Sequence, residues 1–278
     1  AISPGQAHNI FVADLAQTDL MTVIMAQVPA AIVASIVAVI ALTIIAIMRK
    51  EGPDEARRLA YHAQLEKEEG GKDFKVNPLY ALVPLVPLVL LVLGSKQLAI
   101  LPLTDVPTAM IVGTVLALIV TRQNPQEITK KFFDGMGEAY GGVIGLIVSA
   151  AVFTAGMSAM GLTDALIEAM KGSESIAKIA GAFGPFIIAV ISGSGDAAAL
   201  AFNGAITPQA ASFGMSIIDL GSLAQMAGSI GRSMSPVAGA ALVCAGLAKV
   251  SPMELSKRNA LPMLIATITF MIVLFLGK

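Results

Sequence analysis

The sequence has few of the residues that soluble domains and enzyme active sites depend on. Its 278 residues include one cysteine, two histidines and no tryptophan, and only 13% are charged. Soluble domains have about 25% charged residues, so this composition excludes that class. One cysteine excludes an internal disulfide. Two histidines without a His-Glu-x-x-His pattern give no basis for a metalloenzyme. We therefore expect neither catalytic residues nor a cofactor.

Apolar residues take the place of the missing polar ones. Hydrophobic residues make up 56% of the chain, and the mean hydropathy is +0.80. We predict an all-α integral membrane protein whose partners are lipid and small solutes. The net charge of −1 gives no basis for nucleic-acid binding. Because free cysteine usually behaves as a small buried hydrophobe, we expect Cys244 to be packed in the interior.

Several apolar runs are candidates for membrane helices. Residues 23–48 form the longest run, which can cross about 30 Å of hydrocarbon at 1.5 Å per residue. Further spans are expected at 79–93, 107–121, 140–160 and 260–276. Residues 49–75 are polar and charged, and they indicate a cytoplasmic linker.

Two other segments contain apolar runs that are interrupted. In 176–211, neither run alone is long enough to cross the membrane, so we predict a re-entrant hairpin around residues 192–196. In 217–248, a break is expected at 231–236, where glycine favours unwinding and proline removes a backbone donor. Irregular backbone at membrane depth is tolerated only where it lines a cavity or is buried in protein. Both interruptions therefore indicate a solute site.

The beginning of the chain reappears near its end. Aligning residues 1–21 with 233–253 gives six identities, among them Ser3 with Ser235 and Pro4 with Pro236. Internal duplication around interrupted helices is typical of secondary transporters. We assign 1–48 to the end of a first repeat and 76–278 to a second. Since the chain begins within the first copy, we expect it to be part of a longer protein.

The basic residues predict the orientation of the two copies. With the linker placed in the cytoplasm, thirteen Lys and Arg lie on that side and four on the other, while Arg232 alone lies within the membrane. This asymmetry agrees with the positive-inside rule. It makes the two copies cross in opposite directions, so the repeats are predicted to be inverted.

The interruptions carry the candidate site residues. Helix amino termini suit carboxylates, whereas unwound carbonyls and hydroxyls suit sodium. The predicted substrate-binding residues are Ser3, Ser192, Gly193, Ser194, Gly195, Asp196, Arg232, Ser233, Ser235 and Pro236. The candidates for ion coupling are Asp196, Asn203, Thr207, His8 and Asn9, with a possible sodium ion near Ser194, Asp196 and Ser235.

Three of these residues have competing explanations. A guanidinium within the membrane costs about 3–17 kcal/mol unless it is compensated, so Arg232 either binds a substrate carboxylate or pairs with Asp196 or Asp219. Asp196 could carry a proton, bind sodium or pair with Arg232. His8 could titrate near neutrality, but a lone histidine is more often a hydrogen-bonded packing residue.

The carboxyl-terminal motifs resemble a known family. Residues 231–239, 244–248, Ser251-Pro252 and Lys257-Arg258 are similar to the signature of anaerobic C4-dicarboxylate carriers of the DcuC type, within the wider ion-transporter superfamily. The resemblance implies a secondary carrier of succinate, fumarate or malate that works by alternating access in the bacterial inner membrane, with a proton or sodium as the coupling ion.

The resemblance also implies an architecture. A domain that bears the hairpin moves against a scaffold, here 79–121, through which the carrier forms a homodimer. Family members have another hairpin before the first Ser-Pro break, and that half of the site is not in this sequence. A channel built from re-entrant segments and a carrier of another organic anion are the alternative functions.

Overall fold

The chain is helical wherever its structure is described. A computed structural model describes residues 2–49, 51, 80, 82–94, 100–101, 105–122, 124–170, 173–248 and 250–276. Within these ranges there is no β-strand, which confirms the all-α prediction. The α-helices are α1 (Ala7–Leu15), α2 (Leu20–Met48), α3 (Val86–Leu93), α4 (Val106–Thr121), α5 (Pro125–Ala139), α6 (Gly145–Ala159), α7 (Leu162–Met170), α8 (Glu174–Ser192), α9 (Gly195–Ala205), α10 (Ile217–Met234), α11 (Gly239–Ala248) and α12 (Pro252–Phe275).

Four stretches of the described chain are long and apolar enough to cross a membrane. They are α2, α8, α12 and the combined run of α10 and α11 over Ile217–Ala248. A fifth is possible if the apolar residues of α6 and α7, which meet at an angle of 80°, are counted as one bent span. These lengths support the prediction of an integral membrane protein.

Two sequence expectations about the interrupted segments are corrected. Helix α8 has 19 residues, so the first arm of the predicted hairpin is long enough to cross a membrane, contrary to expectation. It is longer because Ser173 caps it, accepting a hydrogen bond from the Ile176 amide, and because Pro185 does not end it. The predicted break at 231–236 is shorter and lies later, since α10 remains helical through Met234.

Two further helical segments were not expected from hydropathy. Helix α5 is polar on one face, and a five-residue π-helix, Tyr140–Ile144, joins it to α6. Helix α12 begins at Pro252 rather than at residue 260, because its charged first turns are helical. Polar residues at a helix end had been interpreted as loop, whereas charged side chains can lie on the exposed face of a helix.

The helix boundaries repeat with the sequence. The offset of 232 residues places Ala7, the first residue of α1, on Gly239, the first residue of α11. The same offset places Leu20, the first residue of α2, on Pro252, the first residue of α12. The duplication therefore extends to local structure, while the inversion of the copies stays a prediction.

Helix α10 occupies the centre of the fold. It packs against α8, α9 and α12, and also against α1 and α2 from the first copy. Small residues allow this, since helices in lipid associate through close van der Waals packing. One core cluster joins α2, α8, α10 and α12 through Ala30, Ala31, Ala34, Ala182, Leu223, Met226, Phe270 and Leu274.

Most of the predicted linker at 49–75 lies outside the described residues. At its beginning, Glu51 accepts a hydrogen bond from Arg258 Nε on α12 at 2.7 Å. Of the predicted scaffold at 79–121, the described parts are mainly a 3₁₀ turn (Val83–Leu85), α3 and α4, which pack against one another.

Candidate functional site

The tip of the predicted hairpin contacts the break between α10 and α11. Helix α8 ends at Ser192, and Gly193 turns the chain with a φ of +75°, a conformation that favours glycine. A Cβ on Gly193 would lie 3.1 Å from the Ala238 backbone nitrogen. The hydroxyl of Ser194 then caps α9 by accepting from the Ala197 amide at 3.2 Å. The sequence therefore places two chain reversals in direct contact.

The two Ser-Pro breaks have the same local structure. The Gly5 amide donates to Ser3 Oγ at 3.4 Å, and the Val237 amide donates to Ser235 Oγ at 3.3 Å. Such serine turns give the chain a local alternative to the helix. The repeat thus preserves a hydrogen-bonded turn as well as the residues that form it.

A cavity of about 330 Å³ lies beside the hairpin tip and the second break. Four predicted substrate-binding residues line it together: Gly195, Asp196, Arg232 and Ser233. Residues that the sequence did not single out complete the wall, among them Gln6, Ser229, Cys244 and Asn259. The volume is at the lower end of the range, about 300–1,000 Å³, that small-molecule sites occupy.

The remaining predicted substrate residues surround this cavity without lining it. Ser192 and Ser194 shape the hairpin turn, Gly193 contacts the break, and Ser235 and Pro236 form the break itself. Ser3 instead lines a separate, mainly apolar cavity of about 430 Å³ next to α3 and α4. The structure therefore divides the predicted set into lining residues and residues that shape the turns.

Asp196 and His8 join the two copies at the cavity. His8 Nδ1 lies 2.9 Å from Asp196 Oδ1, so the histidine can donate to the carboxylate. His8 is 1% exposed, whereas the Asp196 side chain is 44% exposed. The His8 Nε2 atom is buried without a hydrogen-bond partner among the described residues. A buried imidazole thus fixes one oxygen of a carboxylate that belongs to the cavity wall.

The Arg232 guanidinium remains available to a ligand. Arg232 is exposed at the cavity, near the carboxyl end of α10. Over the part of the chain that the structure describes, no carboxylate lies within ion-pair distance of it, so the expected alternative of a pair with Asp196 or Asp219 is not found. Because a guanidinium offers a planar set of donors that matches a carboxylate, this position suits an anion.

A fully buried amide cluster lies behind the cavity. Gln225 Nε2 donates to Asn9 Oδ1 at 2.6 Å and to Gln27 Oε1 at 2.8 Å, and Asn9 Nδ2 donates to the Ser3 carbonyl at 2.8 Å. These three amide side chains are 0% exposed. They link α1, α2 and α10, and so tie the first Ser-Pro break to the central helix. Of the three, only Asn9 was predicted; polar amides within apolar spans are the signal that would have revealed Gln27 and Gln225.

The predicted ion-coupling residues Asn203 and Thr207 bond to each other. Thr207 Oγ1 donates to Asn203 Oδ1 at 2.8 Å, and Asn203 Nδ2 donates to the Gly221 carbonyl of α10 at 3.4 Å. Both side chains are fully buried. The pair therefore holds α9 against α10.

Two observations bear on metal binding and on the single thiol. Among the described residues, no group of three or more His, Cys, Asp or Glu side chains could hold a metal ion. Cys244 is exposed and lines the cavity, so the expectation of a packed thiol is wrong. Its helix, α11, buries only Ala245, which explains why an apolar neighbourhood did not lead to burial.

Comparisons with known proteins agree with a carrier. The chain matches the family described as "C4-dicarboxylate anaerobic carrier", DcuC, over residues 2–278. A Haemophilus influenzae protein described as a transporter is 40% identical over 272 residues, which cover 96% of this chain and 97% of that protein. The anaerobic C4-dicarboxylate transporter DcuC of Escherichia coli K12 is 32% identical over 199 residues, which cover 68% of this chain and 42% of that protein.

A Vibrio cholerae protein named as a probable anaerobic C4-dicarboxylate transporter DcuC is 29% identical over 217 residues, covering 72% of this chain and 46% of that protein. The chain therefore spans less than half the length of the DcuC relatives that it matches. No solved structure matches the chain significantly. The family match covers nearly every residue, and the chain belongs to the C4-dicarboxylate anaerobic carrier family, DcuC, a family of transporters rather than enzymes.

Proposed function

We propose that this chain contributes to a secondary carrier of C4-dicarboxylates, such as succinate, fumarate and malate, in the bacterial inner membrane. The DcuC relatives are named for this substrate class. The observation that carries the proposal is the exposed Arg232 side chain, which lines a cavity and makes no ion pair with a described carboxylate. One substrate carboxylate binds this guanidinium through a pair of parallel hydrogen bonds.

The remaining polar groups of the cavity complete the proposed site. Asn259 Nδ2 donates to the Ser233 carbonyl at 2.9 Å, which holds Ser233 beside Arg232 at the cavity wall. The Ser233 hydroxyl donates to the Ser229 carbonyl at 3.3 Å, so its oxygen keeps lone pairs for a ligand donor. The Gln6 side chain adds an amide from the first copy. The substrate thus contacts both copies of the repeat.

In the proposed alternating-access cycle, the hairpin moves together with the central helix. Gly195 of α9 and Gly228 of α10 approach so closely that a Cβ on either would lie 2.7 Å from the carbonyl oxygen of the other. Packing this close favours motion of α8, α9 and α10 as one body. Helices α3 and α4 would form the scaffold, through which two copies of the carrier would associate.

The proposed coupling ion is a proton, carried by the His8–Asp196 pair. Arg232 and an ionised Asp196 together give the cavity wall no net charge, so a dianionic substrate enters more favourably when the pair gains a proton. The alternative is sodium near Ser194, Asp196 and Ser235. Both of those serine hydroxyls already accept backbone amides, at 3.2 and 3.3 Å, which favours the proton.

Transport in liposomes tests the proposal. The full chain is reconstituted, and exchange of labelled succinate is measured with sodium and proton gradients imposed separately. We expect saturable exchange driven by the proton gradient and lost in Arg232→Gln. Arg258→Gln is the matched control, since Arg258 pairs with Glu51 and Glu254 away from the cavity and exposed ion pairs contribute about 0–1 kcal/mol. Conductance far above carrier turnover would favour a channel, and absence of exchange under either gradient would reject the proposal.

Binding can be measured separately through the only cysteine. Cys244 lines the same cavity as Arg232, so a maleimide should label it and bound substrate should slow the labelling. We expect succinate to protect Cys244 in the unmodified chain and in Arg258→Gln but not in Arg232→Gln. Equal protection in all three proteins would place the substrate elsewhere.

A further inference from the structure

The cavity wall contains one charge of each sign. Asp196 and Arg232 line the same cavity, yet they do not form an ion pair with one another. Opposite charges that share a cavity usually neutralise each other by direct contact, because desolvated ions without a partner are costly. Here each charge is left for a third group that lies between them.

The carboxylate is positioned to accept a donor. His8 holds Asp196 Oδ1 at 2.9 Å, and no described residue donates to Oδ2. Nearly half of the Asp196 side chain is exposed although its histidine partner is buried. An oxygen that is fixed in place, ionised and accessible is a suitable acceptor for an ammonium group.

The guanidinium provides the complementary half. Arg232 follows Ser229 on α10 by three residues and lines the cavity with it, so its donors share the space that Asp196 borders. A ligand with only carboxylates satisfies Arg232 but meets like charge at Asp196. A ligand with both a carboxylate and an ammonium group satisfies both residues without an added proton.

We propose that this cavity recognises a zwitterionic amino acid, with its ammonium group on Asp196 and a carboxylate on Arg232. The inference rests on the proposed function, and it deepens it by naming the member of the C4-dicarboxylate class that carries an amino group, L-aspartate. Succinate and malate bind the same cavity but leave Asp196 without a cationic partner.

Protection of Cys244 from maleimide by three related ligands tests this inference. L-Aspartate carries the ammonium group, succinate lacks it, and N-acetyl-L-aspartate keeps both carboxylates while losing the positive charge. We expect L-aspartate to protect at a concentration at least about tenfold lower than either other ligand, the effect of one charge-assisted hydrogen bond. Equal protection by L-aspartate and N-acetyl-L-aspartate would overturn the inference.

Variants assign the preference to one carboxylate. In Asp196→Asn, whose amide oxygen can still accept from His8, the ratio of succinate to L-aspartate half-protection concentrations should fall towards one. Asp196→Glu should restore part of it. Asp14→Asn, on the exposed side of α1, is the control and should keep the full ratio. A ratio that survives in Asp196→Asn would contradict the inference.

The outcomes separate this inference from the proposed function. Succinate exchange without a preference for L-aspartate would overturn the inference and leave the dicarboxylate carrier standing. Failure of all three ligands, both to protect Cys244 and to exchange, would overturn both.

Discussion

Gly228→Ala tests whether the hairpin and the central helix pack as closely as the site requires. A Cβ at residue 228 would lie 2.7 Å from the Gly195 carbonyl oxygen and 3.5 Å from the Ala199 Cβ. The first contact is with backbone, so no flexible side chain can move aside to relieve it. The start of α9, which carries Asp196, must therefore move away from α10, which carries Arg232.

The expected magnitude follows from two opposing effects. Overpacking a well-packed interior costs about 1–3 kcal/mol. Alanine is favoured over glycine within a helix by about 0.5–1 kcal/mol. The free energy of unfolding should therefore decrease by about 0.5–2 kcal/mol in Gly228→Ala. Because the displaced residue borders the cavity, succinate should also protect Cys244 less well.

Denaturant titration of the purified chain in detergent measures the first effect, and maleimide labelling of Cys244 measures the second. Gly246→Ala is the matched control, since a Cβ there meets nothing within 4 Å and residue 246 lies within helix α11. It should be as stable as the unmodified protein or slightly more so. If Gly228→Ala matched the control in both measurements, the close approach of α9 to α10 would be refuted.

Three other substitutions test the interior and the proposed coupling. Gln225→Leu breaks the buried amide cluster and should lower the free energy of unfolding by about 1–3 kcal/mol, because Asn9 and Gln27 lose their common partner; a loss no larger than in Thr43→Ala, whose hydroxyl is exposed, would contradict this. Phe270→Ala should cost about 3–5 kcal/mol by leaving a cavity in the core, and a smaller thermal shift than in a peripheral truncation would count against that packing. His8→Gln should exchange succinate without response to a proton gradient, as measured in liposomes, and retained acceleration by the gradient would exclude this pair as the coupling site.

Local chemistry explains which parts of the fold and site were predictable. Hydropathy identified α2 within a few residues, because one helix that crosses lipid must be apolar along its length. Repetition of the Ser-Pro motif identified two turns that prove to have the same hydrogen bond. Amphipathic or polar-ended helices were missed: α5 was not expected, and α12 was begun eight residues late.

The sequence by itself determined the class of the protein, the duplicated unit and the positions of the chain breaks, since each depends on composition or on neighbouring residues. Only the tertiary structure decided which residues meet. His8 reaches Asp196 across 188 positions and Gln225 reaches Asn9 across 216, and both contacts exist because α10 and the hairpin bring distant segments together. The structure likewise left Arg232 and Asp196 apart at a shared cavity, although their charges alone would favour a pair. Such contacts depend on how helices pack, and helix packing follows from the shapes of many side chains at once rather than from any local pattern.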